Sequence, residues 1–158
     1  MDVKVFHDEI TGMISEPLRN NQYIASNANS SRFNGAETQL DWRLSRADRL
    51  RLTYAYVDAQ ASNPLDAQQT ARNSGSAGWL RDWGHGWNSA LFYYGDDALN
   101  GYRFERVDTR IAKHIALGHA NLELAGVVQQ RLDRQPTTFI DNRYDERRVI
   151  YFSAELSF

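Results

Sequence analysis

Hydrophobic and polar residues alternate along several segments of the chain with a period of two. Residues 36–44 place Leu40 and Trp42 on one side of an extended chain, and Asp41 and Arg43 on the other. A helix would scatter these charges around its circumference, whereas successive side chains of a strand point to opposite faces. The same alternation runs through residues 50–57, 107–112, 121–124 and 149–158. These segments are therefore predicted to be β-strands.

Three further segments are rich in residues that favour strands, but they do not divide cleanly into two faces. They cover residues 3–14, about 75–83 and about 87–94. Gly12, Gly75 and Gly78 are candidate positions for β-bulges, which would shift the alternation by one residue. The total is about eight strands. Each is close to the ~10 residues that a tilted strand needs to cross a bilayer.

The predicted connections between these strands alternate in length. Short turns are expected at residues 45–48, 84–86 and 117–119, and longer polar connections at residues 16–32, 58–73, 95–103 and 131–145. In an up-and-down sheet this order places every short turn at one end and every long connection at the other. Outer-membrane barrels have this asymmetry, with short periplasmic turns and longer extracellular loops. The pattern predicts an all-β, antiparallel, up-and-down transmembrane β-barrel.

A soluble eight-stranded barrel or a sandwich is the alternative fold, because alternation alone does not tell the inside of a sheet from its outside. The position of the aromatic residues favours the membrane barrel. Trp42, Tyr54, Tyr56, Phe152 and Phe158 lie on the apolar side of their strands, several of them toward strand ends. An aromatic girdle at a membrane interface has this arrangement.

The composition of the 158-residue chain mainly excludes functions. A net charge of −2 gives no basic surface for nucleic acid, so no nucleic-acid partner is expected. The absence of cysteine excludes disulfides, thiolate metal sites and a cysteine nucleophile. The four histidines show no metal-ligand spacing, and His114 is expected to face the lumen in a structural hydrogen bond. We therefore expect no catalytic residue, no metal site and no cofactor.

Three segments resemble the C-terminal β-barrel portion of a TonB-dependent outer-membrane receptor. The first runs from Arg32-Phe33-Asn34-Gly35-Ala36-Glu37 through Leu50-Arg51-Leu52-Thr53-Tyr54-Ala55-Tyr56-Val57-Asp58. It is similar to the family's Asn-x-Gly-x-Glu-like strand that leads into a Tyr-x-Tyr-rich strand, with a contracted Asn-Gly spacing. The second is Val107-Asp108-Thr109-Arg110-Ile111-Ala112-Lys113, and the third is the closing strand from Arg147 to Phe158. The likeness extends over nearly the whole chain as a diffuse pattern.

The closing strand looks like the signal that the barrel-insertion machinery reads. Ile150, Phe152, Leu156 and the C-terminal Phe158 lie at alternate positions of one side. Such a strand can add to an exposed sheet edge, where backbone hydrogen bonds supply affinity and alternate side chains supply specificity. The other interpretation is an ordinary amphipathic strand that ends in Phe.

The resemblance implies a transporter segment rather than an enzyme. It predicts one β-barrel segment over residues 1–158, part of a receptor in the bacterial outer membrane that takes up a chelated nutrient, such as a ferric siderophore or a vitamin. Such a receptor reaches TonB through a plug domain, and we expect neither a plug nor a signal peptide within this chain. Barrels of this kind are wider than eight strands. The chain is therefore expected to be part of a larger barrel. The alternative is a self-contained eight-stranded outer-membrane barrel, acting as an anchor or a lipid-modifying enzyme.

The predicted outer loops contain the candidate ligand contacts, which are Tyr23, Asn27, Arg134 and Tyr144. The last long connection is also rich in arginine, which suits an anionic ligand or the phosphates of lipopolysaccharide. A solvated loop of mixed charge explains the same residues equally well. The expected partners are thus outer-membrane lipid and lipopolysaccharide, the barrel-insertion machinery, a chelated nutrient, and TonB through a plug.

Overall fold

The computed structural model describes residues 1–15, 18–99, 102–133 and 146–158, and it consists almost entirely of β-strands. The elements follow in the order β1 (Asp2–Ser15), β2 (Leu18–Arg19), β3 (Gln22–Tyr23), β4 (Ser26–Arg43), β5 (Asp48–Ala61), α1 (Pro64–Ala67), β6 (Asn73–Gly84), β7 (Trp87–Leu99), β8 (Tyr102–Leu117), β9 (Ala120–Arg131) and β10 (Arg148–Ser157). No helix in this part of the chain is long and apolar enough to span a membrane.

Eight long strands form one antiparallel sheet in the order β1-β4-β5-β6-β7-β8-β9-β10. Each long strand pairs with the next one along the chain, so the prediction of an all-β, up-and-down architecture is confirmed. Within the described residues, β1 pairs only with β4, and β10 pairs only with β9. The sheet is therefore open between its first and last strands.

The strands extend further into the predicted long connections than the sequence indicated. β4 begins at Ser26, inside the predicted connection 16–32, and β5 continues to Ala61. β7 runs to Leu99 and β8 begins at Tyr102, so that most of the predicted connection 95–103 is strand. Backbone pairing in a hairpin can continue beyond the apolar segment because its hydrogen bonds do not depend on the polarity of the side chains. Polarity was therefore a poor guide to where these strands end.

The predicted short turns are confirmed. In the first, the Ser45 hydroxyl accepts hydrogen bonds from the backbone N–H groups of Ala47 (3.0 Å) and Asp48 (2.9 Å). In the second, His85 and its two flanking glycines all have positive φ, and in the third Gly118 has φ of 71°. Glycine accepts this left-handed conformation without a steric penalty. These three turns lie at one end of the sheet, together with the start of β1 and the end of β10.

One of the three predicted bulges is present. The register of β1 against β4 shifts between Thr11 and Met13, and Gly12 between them has φ of 69°. Gly75 and Gly78 lie in regular register, so the prediction of bulges there was wrong. Gly78 instead lies directly beneath the ring of Phe92 on the neighbouring strand: a Cβ at this position would lie 2.1 Å from Phe92 Cε1. Glycine is required at position 78 because the Phe92 ring occupies the space that a side chain would need.

Candidate functional site

Cross-strand register brings most of the large apolar residues of the sheet to one side, which we call the apolar face. Leu40 pairs with Leu52, Trp79 with Leu91, and Leu122 with Leu156. The residues predicted to face lipid, which are Leu40, Trp42, Leu52, Tyr54, Phe152 and Leu156, share this face. All four tryptophans of the chain also lie on it.

Aromatic side chains border the apolar face on two sides. Trp42, Trp83 and Trp87 lie at the end with the short turns, and Tyr56 and Tyr93 lie toward the long connections. Along β5 the face is limited by Asp48 and Asp58. The ten residue steps from Asp48 to Asp58 span about 33 Å, which a tilt of about 40° reduces to a height of about 25 Å. The apolar face therefore has the height and the two aromatic girdles of a membrane-spanning barrel wall.

Several apolar side chains of this sheet are more exposed than charged side chains on its other side, which is the reverse of the usual distribution in a soluble protein. On the apolar face, Phe152 is 84% exposed and Ile111 is 54% exposed. On the opposite side, which we call the polar face, the Asp108 and Glu123 side chains are only 16% and 24% exposed. The buried apolar residues in the described part of the chain are Ala112, Ala125 and Val127. A soluble barrel would bury its apolar side chains, so this arrangement disagrees with the soluble alternative.

A network of charges and hydrogen bonds covers the centre of the polar face. Glu123 on β9 accepts from the Arg110 guanidinium, and its second oxygen lies 3.0 Å from Nε2 of His114. Nearby, Asp108 accepts hydrogen bonds from the Arg106 guanidinium and from the Gln129 amide, each at 3.0 Å. His114 thus lies on the polar face, in contact with the Glu123 carboxylate. Charges that neutralise one another in this way suit the wall of a wet lumen.

Near the short turns, the polar face contains an excess of arginine. Asp41 is held between Arg49 and Arg51, the latter at 3.2 Å. A cavity of about 680 Å³ lies beside these arginines and also reaches Arg110 and His114. On the apolar face at this end, the cationic side chains among the described residues are Arg81 and Lys113, so positive charge is less concentrated there. This region can attract anionic groups in the lumen.

Aromatic side chains also occur on the polar face, where the sequence did not predict them. The rings of Phe92 and Tyr94 are stacked with centroids 5.9 Å apart. The Arg106 guanidinium lies 5.0 Å from the Tyr94 ring and 5.8 Å from the Phe104 ring. Because Leu91 and Tyr93 occupy the apolar face, β7 is apolar on both sides. The ambiguous phase of residues 87–94 was the sequence signal for this cluster.

The described residues include only two of the four candidate ligand contacts. Asn27 lies near the start of β4 and is exposed, and Tyr23 belongs to β3 of a two-stranded hairpin. Asn20 and Asn21 form the turn of this hairpin, with φ of 49° and 61°. Arg134 and Tyr144 lie outside the described residues. The structure therefore places Tyr23 and Asn27 at the end of the sheet with the long connections and leaves the site as a whole untested.

A buried ion pair marks the base of the last long connection. The Arg131 guanidinium donates to Asp133, and the two side chains are 8% and 6% exposed. The backbone N–H of Glu105 also donates to the Asp133 carboxylate at 2.9 Å. Burial by itself would raise the pKa of Asp133, but the hydrogen bonds from Arg131 and from this N–H hold it below its usual value. The connection is thereby fixed to β8 where it leaves β9.

The four residues of the predicted insertion signal are exposed on the edge strand or just after it. Ile150, Phe152 and Leu156 lie on the apolar face of β10, and Phe158 follows the strand. Their exposed fractions range from 49% to 98%. One edge of β10 has no strand partner within the described residues, so its backbone groups are accessible to a further strand.

Among the described residues, no group of three or more His, Asp or Glu side chains has the arrangement of a metal site. Comparison with known proteins gives one finding: a family model described as "TonB dependent receptor-like, beta-barrel" matches residues 1–126. No curated protein and no solved structure gives a significant match to the chain. The matched segment covers β1 to β8 and most of β9, so it includes both the apolar face and the charge network of the polar face.

Proposed function

The chain belongs to the TonB-dependent receptor-like β-barrel family, and we propose that it forms wall strands of an outer-membrane receptor that takes up a chelated nutrient, such as a ferric siderophore or a vitamin. The family is one of outer-membrane transporters rather than enzymes. The observation that supports this function best is the exposure of the sheet, in which large apolar side chains of one face are accessible while Asp108 and Glu123 at the centre of the other face are shielded. That arrangement suits lipid on one side and a polar lumen on the other.

In this proposal the chain itself performs no chemistry. The polar face lines the route of the nutrient, and energy enters through a plug that contacts TonB. Tyr23, Asn27, Arg134 and Tyr144 contact the nutrient at the extracellular end. Lipopolysaccharide surrounds the same end from outside. The exposed edge and alternate apolar side chains of β10 support the assignment of Ile150, Phe152, Leu156 and Phe158 as the insertion signal.

Transport is tested by measuring uptake of radiolabelled ferric siderophores and of vitamin B12 in cells that contain or lack the gene for this chain. We expect loss of the gene to abolish uptake of one such nutrient, and we expect disruption of TonB to have the same effect. Asn27→Ala should lower this uptake, whereas Gln60→Ala, at an exposed position of β5 in phase with the apolar face, should leave uptake unchanged. Equal uptake of every nutrient with and without the gene would contradict the transport function.

The membrane orientation gives a separate prediction. We expect a cysteine at Gln68, in the connection after α1, to react with a membrane-impermeant maleimide added to intact cells. A cysteine at Arg46, in the short turn between β4 and β5, should react only after the outer membrane is permeabilised. Both side chains are exposed, and the natural chain has no cysteine to interfere. Asn63 is unsuitable because its side chain is 4% exposed and caps α1. Equal labelling at the two positions in intact cells would contradict the orientation.

A further inference from the structure

A groove crosses the apolar face over β8, β9 and β10. It has a volume of about 810 Å³ and is lined mainly by apolar side chains. Its floor includes Gly126, which pairs with Ile111 on one side and with Phe152 on the other. Because Gly126 has no side chain, the Phe152 ring leans over it, with its Cε1 3.2 Å from the position that a Cβ would take, and Ile111 forms the opposite wall. From Lys113 to Thr109 the groove follows about 13 Å of β8.

Lys113 forms the polar end of this groove. It pairs with Trp87 on β7 and Leu124 on β9, and its ammonium lies 5.1 Å from the Trp87 ring. One ammonium proton is donated to the backbone carbonyl oxygen of His85 at 2.5 Å. An ammonium group has three donors, so two others remain for a ligand.

The electrostatic surroundings of Lys113 differ from those of other cations in the sheet. Arg49, Arg81, Arg106 and Arg110 each form an ion pair with a carboxylate. Within the described residues, no carboxylate lies within 4 Å of the Lys113 ammonium. Lys113 is therefore a cation without a counter-charge, placed between an interfacial tryptophan and an apolar groove.

We propose that this groove is a binding site for one anionic phospholipid. The phosphate contacts the Lys113 ammonium, the Trp87 indole lies at the level of the headgroup, and one acyl chain occupies the groove between Ile111 and Phe152. Charge complementarity and the adjoining apolar groove together select a lipid that has both a negative headgroup and a hydrocarbon chain. The site rests on the proposed membrane function, and it lies in the leaflet next to the short turns.

The alternative explanation of Lys113 is that it merely extends toward water at the membrane border. Such a lysine would not distinguish an anionic lipid from a zwitterionic one. The two explanations can be separated because the chain contains one other lysine, Lys4. Lys4 lies on the polar face, 3.8 Å from Glu37, and provides a matched control.

The test uses the fraction of the 158-residue chain that stays monomeric in gel filtration, inserted into nanodiscs that contain equal amounts of phosphatidylglycerol and phosphatidylcholine. Native mass spectrometry then measures the lipids that this folded fraction retains. We expect the wild-type chain to retain phosphatidylglycerol about fivefold over phosphatidylcholine. Lys113→Gln should remove this preference, and Lys4→Gln should preserve it. Ala154→Phe, which fills the groove from β10, should reduce retention of both lipids.

Three results would overturn the site: no preference in the wild type, an unchanged preference in Lys113→Gln, or unchanged retention in Ala154→Phe. Insertion is measured in the same samples by quenching of tryptophan fluorescence with brominated phosphatidylcholine, since all four tryptophans lie on the apolar face. If the tryptophan fluorescence is quenched but phosphatidylglycerol is not preferred, the lipid site is wrong and the proposed membrane function stands. If the tryptophan fluorescence is not quenched, both the proposed membrane function and the lipid site are wrong.

Discussion

Replacement of Leu52 by arginine is expected to destabilise the folded protein by about 2–4 kcal/mol in a lipid bilayer. Leu52 lies on the apolar face near the middle of β5, where it pairs with Leu40 and Ala77. Both neighbours are apolar, so an arginine there has no carboxylate partner and has to reach the membrane surface through hydrocarbon. The free energy of unfolding, measured by denaturant titration in phospholipid vesicles, provides the test.

The adjacent residue supplies the control for this substitution. Thr53 lies on the polar face, where its hydroxyl is 2.8 Å from that of Ser76. Thr53→Arg removes one exposed hydrogen bond and places the charge in the lumen, so a loss of about 1 kcal/mol is expected. The two variants add the same charge to the same strand one residue apart. If they destabilised the protein equally, the assignment of the apolar face to lipid would be wrong.

The second large effect concerns folding of the isolated chain, in which β1 and β10 each have one edge without a partner strand. Where these strands lie in hydrocarbon, each unpaired backbone N–H or carbonyl costs several kcal/mol, because no water replaces the missing partner. The 158-residue chain, refolded by itself in detergent, is therefore expected to fold inefficiently and to associate through its edges. Gel filtration and the difference in gel mobility between heated and unheated samples measure both properties.

Hydrogen exchange localises this effect within the sheet. Amides of β5 to β8, which have neighbours on both sides, should exchange slowly, whereas alternate amides of β1 and β10 should exchange rapidly. The slow strands are the internal control for the fast ones. A monodisperse, heat-modifiable monomer with β1 and β10 protected as well as the central strands would show that the eight strands close on themselves. That result would support the self-contained barrel.

The alternation of residues predicted the main features of the fold because side-chain direction in a strand is a local property. Leu50, Leu52 and Tyr54 were assigned to one face from their spacing alone, and the register confirms this assignment. The three short turns were recognised for a similar reason, since glycine and polar residues interrupt the strands at those points. Resemblance to the receptor family likewise depended on patterns of neighbouring residues, and the family match confirms it.

Strand ends and bulges were predicted less well because they depend on the partner strand. The polar start of β4 remains paired with β1, and Gly78 lies under Phe92 although 14 residues separate them. The candidate ligand contacts were chosen only as polar or aromatic residues of predicted loops. No local pattern says which side chains of separate loops meet, so Tyr23, Asn27, Arg134 and Tyr144 stay predictions.

The order of residues along the chain is enough to establish a two-faced, up-and-down β-sheet with long connections at one end and short turns at the other. Period-two alternation and turn residues act over a few neighbouring positions, which makes these features readable along the chain. Contacts between strands establish which face is exposed and which charges neutralise one another. They also establish that Lys113 has no carboxylate partner among the described residues, while Arg110 has Glu123. Those features arise between strands, because register brings together residues that are distant in the sequence.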